Sequence, residues 1–291
     1  MNKIKGIIKL LRIHSYIKNG FVAAPIIFTN KLDQIDILMQ VIGGVILFCI
    51  ISSAVYIIND IMDVEVNRQH PEKRKRPIAS GELSVSAAWV IAFFLSIFSI
   101  LGSYFLSKEF LMYILLYYGL QLGYSMWLKR VSIIESLIVA AGFVIRVMAG
   151  GILVYEPASE WIILATFFLA LVLVLGKRRC EYTRGEKGEV KEVRPVLKNY
   201  TITWLDLSMS IAVAAAILTY ALYSISERGI FVGGKKMVFT LLPVVLGLLR
   251  YMQLISLGEV DEDIGQLLFR DFILLISIVS WLIMLILFIC F

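Results

Sequence analysis

Histidine and cysteine are scarce in this chain of 291 residues, and neither type is arranged to bind a metal. His14 and His70 have no second His or Cys at ligand spacing, which argues against a His-based metal site. Cys49, Cys180 and Cys290 form an odd and scattered set, so neither a disulfide framework nor a zinc site is indicated.

Charged residues are also few, at 17%, whereas 59% of the residues are hydrophobic and the mean hydropathy is +0.85. A soluble domain carries about 45–50% apolar residues, so the composition predicts an integral membrane protein. About 20 helical residues cross a hydrocarbon core. The stretches long enough, or nearly so, are 18–30, 37–58, 85–106, 111–127, 132–151, 160–176, 204–225, 236–256 and 270–291. These runs are too long and too apolar for barrel strands, so we predict an all-α bundle of nine transmembrane helices.

Long polar linkers are absent as well, which predicts a single integral-membrane domain over residues 1–291. With the amino terminus inside, 22 of the 28 basic residues fall in segments predicted to be cytoplasmic, and five fall in outer loops. This asymmetry follows the positive-inside rule and predicts a multi-pass protein of the plasma membrane. The net charge of +6 is then explained by topology and by anionic ligands, and no nucleic-acid module is indicated.

A dense group of polar side chains follows the second apolar stretch. Asn59, Asp63 and Asn67 recur every four residues and Asp60 precedes Asp63 by three, so a helix would carry all four on one face. Mg²⁺ accepts one or two protein carboxylates and completes its shell with water and phosphate oxygens. The alternative is a solvated helix end with ordinary capping. The cationic run 73–76 that follows favours a metal site, formed by the four polar side chains of that face, that holds a diphosphate.

A second cluster of charge follows the stretch 160–176. Lys177 and Arg178 lie nearest the membrane, and we predict that they bind phosphate together with Glu181. The alternatives are a salt bridge between Lys177 and Glu181 across one helical turn, or a charge run that only sets topology. Farther along, the acidic stretch 259–263 is either a second metal site or a solvated segment.

Single cations elsewhere are also candidate substrate ligands. Arg146 stands within an apolar helix, where a buried cation is costly unless it is paired and is functional by default. We predict that it lines a cavity, and the alternative is a structural pair with Glu135, eleven residues before it.

Tyr124, Lys129 and Arg130 close the fourth predicted helix, and Lys18 begins the first. We predict that all four bind phosphate or substrate. The alternative for each is anchoring at the membrane interface.

The first motif resembles the Asn-Asp-x-x-Asp-x-x-x-Asp signature of the UbiA-type intramembrane prenyltransferase superfamily, with its downstream Lys and Arg-Pro. The matching residues are Asn59, Asp60, Asp63, Lys73 and Arg76-Pro77. Within this superfamily the chain resembles the decaprenyl-phosphate phosphoribosyltransferases. The shared positions are Lys18-Asn19, His70-Pro71, the run 76–81, Arg146, Gly176-Lys177-Arg178 with Glu181, and Arg250-Tyr251 with Arg270-Asp271.

The resemblance implies transfer of 5-phosphoribose from phosphoribosyl diphosphate (PRPP) to a polyprenyl phosphate of the membrane, as a precursor for cell-envelope glycan. It also implies Mg²⁺ as cofactor, with Asp60 and Asp63 as the catalytic, metal-holding residues. Two departures from the superfamily stand out. The third acidic position of the signature is Asn67, and the second Asp-rich motif of the aromatic prenyltransferases is replaced by the basic run 177–179. Excess cations suit the four phosphate groups of PRPP and a lipid phosphate.

Two other functions stay open from the sequence. An aromatic prenyltransferase would use a polyprenyl diphosphate donor, and the basic second motif argues against it. A non-enzymatic lipid or solute transporter is the other alternative. Transporters tend to show helices broken by Gly or Pro at mid-membrane in both halves, whereas only six prolines occur here.

Overall fold

A computed structural model describes residues 3–29, 31–70, 73–186, 195–258, 267 and 270–290. Over these residues the regular structure is helical and contains no β-strand, which confirms the all-α prediction. Seven helical segments are long and apolar enough to cross a membrane. They are Ile35–Met62, Val85–Leu106, Ile134–Leu153, Glu160–Glu186, Ile202–Ile225, Lys235–Leu257 and Phe272–Ile289.

Two predicted stretches are not among these seven, so the count of nine spans is not confirmed. Residues 18–29 fall on a 3₁₀ helix, Ile13–Val22, and on the four-residue helix Ala24–Ile27, which contains Pro25 in its first turn. Residues 111–127 fall on the helix Lys108–Met126, whose tyrosines and Gln121 make it less apolar than its neighbours.

The chain divides into two compact units, which we describe separately. The amino-terminal unit, Met1–Ala158, contains helices α1 to α7. They are α1 Lys3–Leu11, α2 Ala24–Ile27, α3 Ile35–Met62, α4 Val64–Gln69, α5 Val85–Leu106, α6 Lys108–Met126 and α7 Ile134–Leu153. Three 3₁₀ helices connect them: Ile13–Val22, Lys73–Lys75 and Leu128–Arg130.

Helix α3 is the centre of the amino-terminal unit. Its sequence is apolar all round, which is typical of a helix surrounded by others, and it packs against α5, α6 and α7. Phe48 and Ile51 of α3 are fully buried against Phe110 and Tyr117 of α6. Near its end, Ile57 and Ile61 pack with Ile78 in a second cluster. The last turn of α3 is therefore held firmly where its polar residues begin.

The carboxyl-terminal unit comprises Ser159–Glu189 and Val193–Phe291. Its helices are α8 Glu160–Glu186, α9 Ile202–Ile225, α10 Glu227–Gly233, α11 Leu241–Leu257 and α12 Phe272–Cys290, with 3₁₀ helices Pro195–Asn199 and Lys235–Thr240. Leu175 of α8, Leu205 of α9 and Leu254 of α11 share one core. Gly176 admits the ring of Tyr251, because a Cβ at residue 176 would lie 2.5 Å from the Tyr251 hydroxyl. The single-domain organisation over residues 1–291 stays a prediction.

Gly150 of α7 allows the carbonyl of Val22 to press against the helix, and this contact seats the 3₁₀ helix Ile13–Val22. We predict that Gly150→Ala lowers thermal stability in detergent, since the obstacle is backbone and an overpacked core costs about 1–3 kcal/mol. Gly119→Ala on α6 is the matched control, because no atom lies within 4 Å of a Cβ there. Both changes raise helix propensity alike. Equal melting temperatures for the two variants would contradict this prediction.

Candidate active site

The break between α3 and α4 positions the first polar motif. Helix α3 ends at Met62 and α4 begins at Val64, with Asp63 between them. The Asp63 amide still donates to the Asn59 carbonyl (3.0 Å), and the Asn67 amide donates to the Asp63 carbonyl (2.8 Å). The helical path thus continues through the break. The predicted one-face arrangement of the polar side chains is supported by two shared cations: Arg76 contacts Asp60 and Asn67, and Lys129 contacts Asn59 and Asp63.

Asp60 is only 3% exposed and is held by two guanidinium groups. Its Oδ1 accepts hydrogen bonds from Arg12 Nη2 (2.5 Å) and from Arg76 Nη1 (2.8 Å). Arg76 Nη1 also donates to Asn67 Oδ1 at 3.3 Å. A buried carboxylate is stable only when it is paired and hydrogen-bonded, so these two arginines make the burial of Asp60 tolerable.

Lys129 joins the other two polar residues of the motif. Its Nζ donates to Asp63 Oδ1 at 2.5 Å and to Asn59 Oδ1 at 3.4 Å. Lys129 belongs to the 3₁₀ helix Leu128–Arg130, 66 residues beyond Asp63. The motif therefore divides into two pairs, one around Arg76 and one around Lys129.

Arg12 is a residue of this cluster that the sequence did not reveal. It lies between α1 and the 3₁₀ helix Ile13–Val22 in a left-handed conformation (φ 52°, ψ 50°) that is uncommon for a non-glycine residue. Its guanidinium also covers the ring of Tyr56, 5.0 Å from the centroid. In the sequence Arg12 looks like one more cation of a basic, membrane-anchoring start, because its partner lies 48 residues away.

The carboxylates of the cluster fit a divalent cation. Both hydrogen bonds to Asp60 end on Oδ1, and so does that of Lys129 to Asp63, which leaves each Oδ2 without a hydrogen bond from the described residues. Over the same residues, no group of three or more His, Cys, Asp or Glu is arranged for a metal. Two carboxylate oxygens suit Mg²⁺, which takes the rest of its ligands from water and phosphate.

Arg146 is 4% exposed and lies in a separate hydrogen-bond network of the amino-terminal unit, in which its partners are neutral groups. Its Nε donates to Asn19 Oδ1 (2.8 Å), its Nη1 to the Gly142 carbonyl (2.7 Å) and its Nη2 to the Tyr117 hydroxyl (2.9 Å). Ser52 of α3 joins this network through Asn19 and Tyr117. Among the described residues Arg146 has no carboxylate partner, so the alternative of a Glu135 pair is wrong.

The two polar clusters of the amino-terminal unit are well separated. Ser52 precedes Asp60 by eight residues on α3, which is about 12 Å along a helix. Arg146 is also packed by aromatic rings, with its guanidinium 4.6 Å from the Tyr117 centroid and 5.5 Å from that of Phe143. That Arg146 binds substrate stays a prediction. Its hydrogen bonds connect α7 with α6 and with the 3₁₀ helix Ile13–Val22.

In the carboxyl-terminal unit, the basic run 177–179 in the last third of α8 is largely buried. Arg178 Nη1 donates to Glu181 Oε2 at 2.7 Å. Arg179 Nε donates to Asp206 Oδ1 of α9 at 2.5 Å, and its Nη1 donates to the Ile255 carbonyl of α11 at 2.7 Å. Arg179 therefore ties three helices together, a role that only the packing reveals.

The pair of Arg250 and Asp271 connects α11 to the start of α12. Arg250 Nη2 donates to Asp271 Oδ2 at 2.7 Å, and the Leu274 amide donates to Asp271 Oδ1 at 2.9 Å. The Arg250 hydrogen bonds, chiefly, hold the pKa of Asp271 below its usual value. The contribution of this pair to stability is lost as the pH falls through that lowered pKa.

Residues 21–273 of the chain match the model of the UbiA prenyltransferase family. The chain belongs to this family. It is 33% identical to the decaprenyl-phosphate phosphoribosyltransferase of Corynebacterium glutamicum, over 96% of this chain and 85% of the relative. It is 30% identical to the enzyme of the same name from Mycobacterium tuberculosis H37Rv, over 97% of this chain and 93% of the relative. The predicted resemblance is thereby confirmed.

A solved structure of a UbiA homologue from Archaeoglobus fulgidus, bound to DMAPP and Mg²⁺, has the same fold. The TM-score is 0.72, with 97% of this chain and 96% of that chain covered, at 19% sequence identity. That likeness supports a UbiA fold over almost the whole chain. Together with the apolar helices, it agrees with a multi-pass membrane protein.

The other predicted ligands of this UbiA-family chain are dispersed over several elements. Lys18 is exposed on the 3₁₀ helix Ile13–Val22, and Lys73 begins the 3₁₀ helix Lys73–Lys75. Tyr124 lies in the last turn of α6, Arg130 is exposed beside Lys129, and Lys177 is half-buried in the last third of α8. Their roles stay predictions. The acidic stretch 259–263 lies outside the described residues.

We predict that Arg146→Lys lowers the melting temperature, because a single ammonium group cannot reach Asn19, Gly142 and Tyr117 together. Each lost hydrogen bond to a charged group is worth about 1.5–3 kcal/mol. Arg130→Lys, at an exposed position, is the matched control. Thermal unfolding in detergent measures the effect. An Arg146→Lys protein with normal stability but no activity would instead show that Arg146 serves the substrate.

Proposed function

We propose that this protein transfers 5-phosphoribose from PRPP to a polyprenyl phosphate, with Mg²⁺ as cofactor and with release of diphosphate. The observation that carries the proposal is the cluster at the end of α3, where Asp60 and Asp63 are surrounded by Arg12, Arg76 and Lys129. Carboxylates for a metal and cations for phosphate stand side by side there. Support also comes from relatives named decaprenyl-phosphate phosphoribosyltransferase at 30–33% identity.

In this proposal Asp60 and Asp63 hold the metal through oxygens that accept no hydrogen bond from described residues. When bound, Mg²⁺ would neutralise charge on the departing diphosphate. Arg12, Arg76 and Lys129 are the nearest cations, and they would exchange a carboxylate oxygen for a phosphate oxygen. Charge-assisted hydrogen bonds from guanidinium to phosphate are strong and directional. Binding of PRPP would therefore replace the present partners of these three cations and would not require additional cations.

The reaction needs little from the protein beyond positioning and charge stabilisation. The bond between ribose C1 and the diphosphate oxygen breaks, and a bond from C1 to an oxygen of the lipid phosphate forms. Positive charge develops on C1 as the diphosphate leaves, as in glycoside cleavage. The lipid phosphate is already an anion, so no general base is required to activate it.

The other predicted ligands would serve the remaining phosphate groups of the two substrates. We assign this role to the cations Lys18, Lys73, Arg130, Arg146, Lys177 and Arg178 and to the hydroxyl of Tyr124, with Glu181 orienting Arg178. The polyprenyl chain would lie in the bilayer. The amino terminus and the Asp60 cluster would face the cytoplasm, where PRPP is soluble, and the protein would reside in the plasma membrane. The product would supply a cell-envelope glycan.

One observation favours a second candidate, an aromatic prenyltransferase. The similar solved UbiA homologue is bound to DMAPP, a prenyl diphosphate, with Mg²⁺. Against this candidate stands the basic character of residues 177–179, where the aromatic prenyltransferases carry an Asp-rich motif.

The proposal is tested with membranes that contain the protein, labelled PRPP, Mg²⁺ and polyprenyl phosphate, by scoring label in the organic phase. We expect Mg²⁺-dependent labelling that falls by about 10²–10³-fold in Asp63→Asn and in Asp60→Asn, the size seen when one electrostatic group of a catalytic site is removed. Glu65→Gln is the control, because Glu65 is exposed and, among the residues that the structure describes, pairs with nearby Arg68 at 2.8 Å.

Full activity of the Asp63→Asn protein would remove the metal-site assignment. If the folded, unaltered protein labels no lipid with polyprenols of several lengths, the phosphoribosyltransferase proposal fails. Prenyl transfer from a labelled prenyl diphosphate to an aromatic acceptor in the same membranes would then establish the second candidate.

A further inference from the structure

Asn67 carries a buried donor whose hydrogen bond is not made within the described protein. The residue is 3% exposed, on α4, and its Oδ1 accepts a hydrogen bond from Arg76 Nη1 at 3.3 Å. Its Nδ2 has no hydrogen-bond partner among the described residues. Buried polar groups are nearly always satisfied, and an orphaned one calls for a ligand or a strong reason.

The orientation of this amide follows from its neighbour. If the amide were rotated by 180°, Nδ2 would face Arg76 Nη1, and two N–H donors would oppose each other. Arg76 therefore keeps Oδ1 toward itself. The oxygen that a metal would need already faces a cation, and the open group of Asn67 is a donor that a cation cannot use.

We infer that Asn67 donates through Nδ2 to an oxygen of the diphosphate group of the donor substrate and is not a ligand of the metal. The acceptor must be anionic or strongly polar, because the guanidinium of Arg76 lies on the same amide and Arg12 meets it at Asp60. A diphosphate oxygen satisfies the amide and both guanidinium groups at once. This inference rests on the proposed function only in requiring that the substrate bound at this site carries a diphosphate group.

The inference also gives a reason for the departure of this chain from the Asn-Asp-x-x-Asp-x-x-x-Asp signature. An aspartate at residue 67 would compete with Asp60 for Arg76 and would present only acceptors to an incoming phosphate. Asparagine keeps the contact with Arg76 through its oxygen and adds a donor on the other side. The third position of the motif would thus contribute to phosphate recognition in this protein.

The test is binding to the purified protein in detergent, with inorganic diphosphate and Mg²⁺ as one probe and PRPP and Mg²⁺ as the other. Affinity is measured by titration calorimetry, and the Mg²⁺ concentration for half-maximal binding is measured with each probe. The variants are Asn67→Asp, which replaces the donor by a charged acceptor, and Asn67→Ala, which removes the amide without adding charge. Gln69→Glu, exposed on the same helix, is the matched amide-to-acid control.

We expect both Asn67 variants to bind diphosphate and PRPP about tenfold more weakly or worse, which corresponds to the loss of one good hydrogen bond. The Mg²⁺ requirement should not fall in Asn67→Asp, and Gln69→Glu should bind as the unaltered protein does. Melting temperatures without ligand establish which variants are folded. Asn67→Ala keeps the test decisive if Asn67→Asp does not fold.

Three results would overturn the inference. A lower Mg²⁺ requirement in Asn67→Asp would make residue 67 a metal ligand. Weaker binding in Asn67→Asp alone, with normal binding in Asn67→Ala, would show that the effect is repulsion between the added carboxylate and the diphosphate. Weaker binding of PRPP with unchanged binding of diphosphate would move the contact to the ribose. Because the diphosphate probe does not depend on which group is transferred, these outcomes are distinct from failure of the phosphoribosyl transfer assay.

Discussion

Burial of a carboxylate at the end of a membrane helix is the constraint on which the rest of this site depends. Asp60 lies in the last turn of a long apolar helix and is almost inaccessible to water, so its negative charge has to be matched by the protein itself. Two arginines from distant parts of the chain do this. The left-handed backbone at Arg12 and the packing of Ile78 against Ile57 and Ile61 bring those arginines to one oxygen.

The same cost of burying charge is met differently elsewhere in the protein. Among the described residues, Arg146 is surrounded by neutral oxygens and aromatic rings, an arrangement that satisfies a guanidinium without a counter-ion. In the carboxyl-terminal unit, Arg178 and Arg179 are each paired with a carboxylate. Hydrogen bonds to neutral partners hold helices together. The cations of an ion pair can in addition exchange a carboxylate oxygen for a phosphate oxygen when a phosphate-bearing ligand binds. The Asp60 cluster is of the second kind.

On the proposed function, this exchange of ionic partners explains how an apolar helical bundle can bind a highly charged substrate. Before binding, Arg12, Arg76 and Lys129 neutralise Asp60 and Asp63. A Mg²⁺–diphosphate pair brings one partner for the carboxylates and another for the cations, so the exchange leaves little unbalanced charge. Preorganised charges in a water-poor setting are the main source of electrostatic catalysis. On the inference drawn for its amide, Asn67 would add a neutral donor to this arrangement without altering its charge.

The sequence by itself determined the helical class, the membrane setting and the shared face of Asn59, Asp60, Asp63 and Asn67. Hydropathy and helical periodicity are local properties that survive without knowledge of the fold. Only the tertiary structure decided which cations meet these residues, since Arg12 lies 48 residues from Asp60 and Lys129 lies 66 from Asp63. It also decided that residues 13–22 form a 3₁₀ helix whose Val22 carbonyl packs on Gly150, and that Asn67 turns its oxygen to Arg76. Such pairings depend on how helices pack, and spacing along the chain does not encode them.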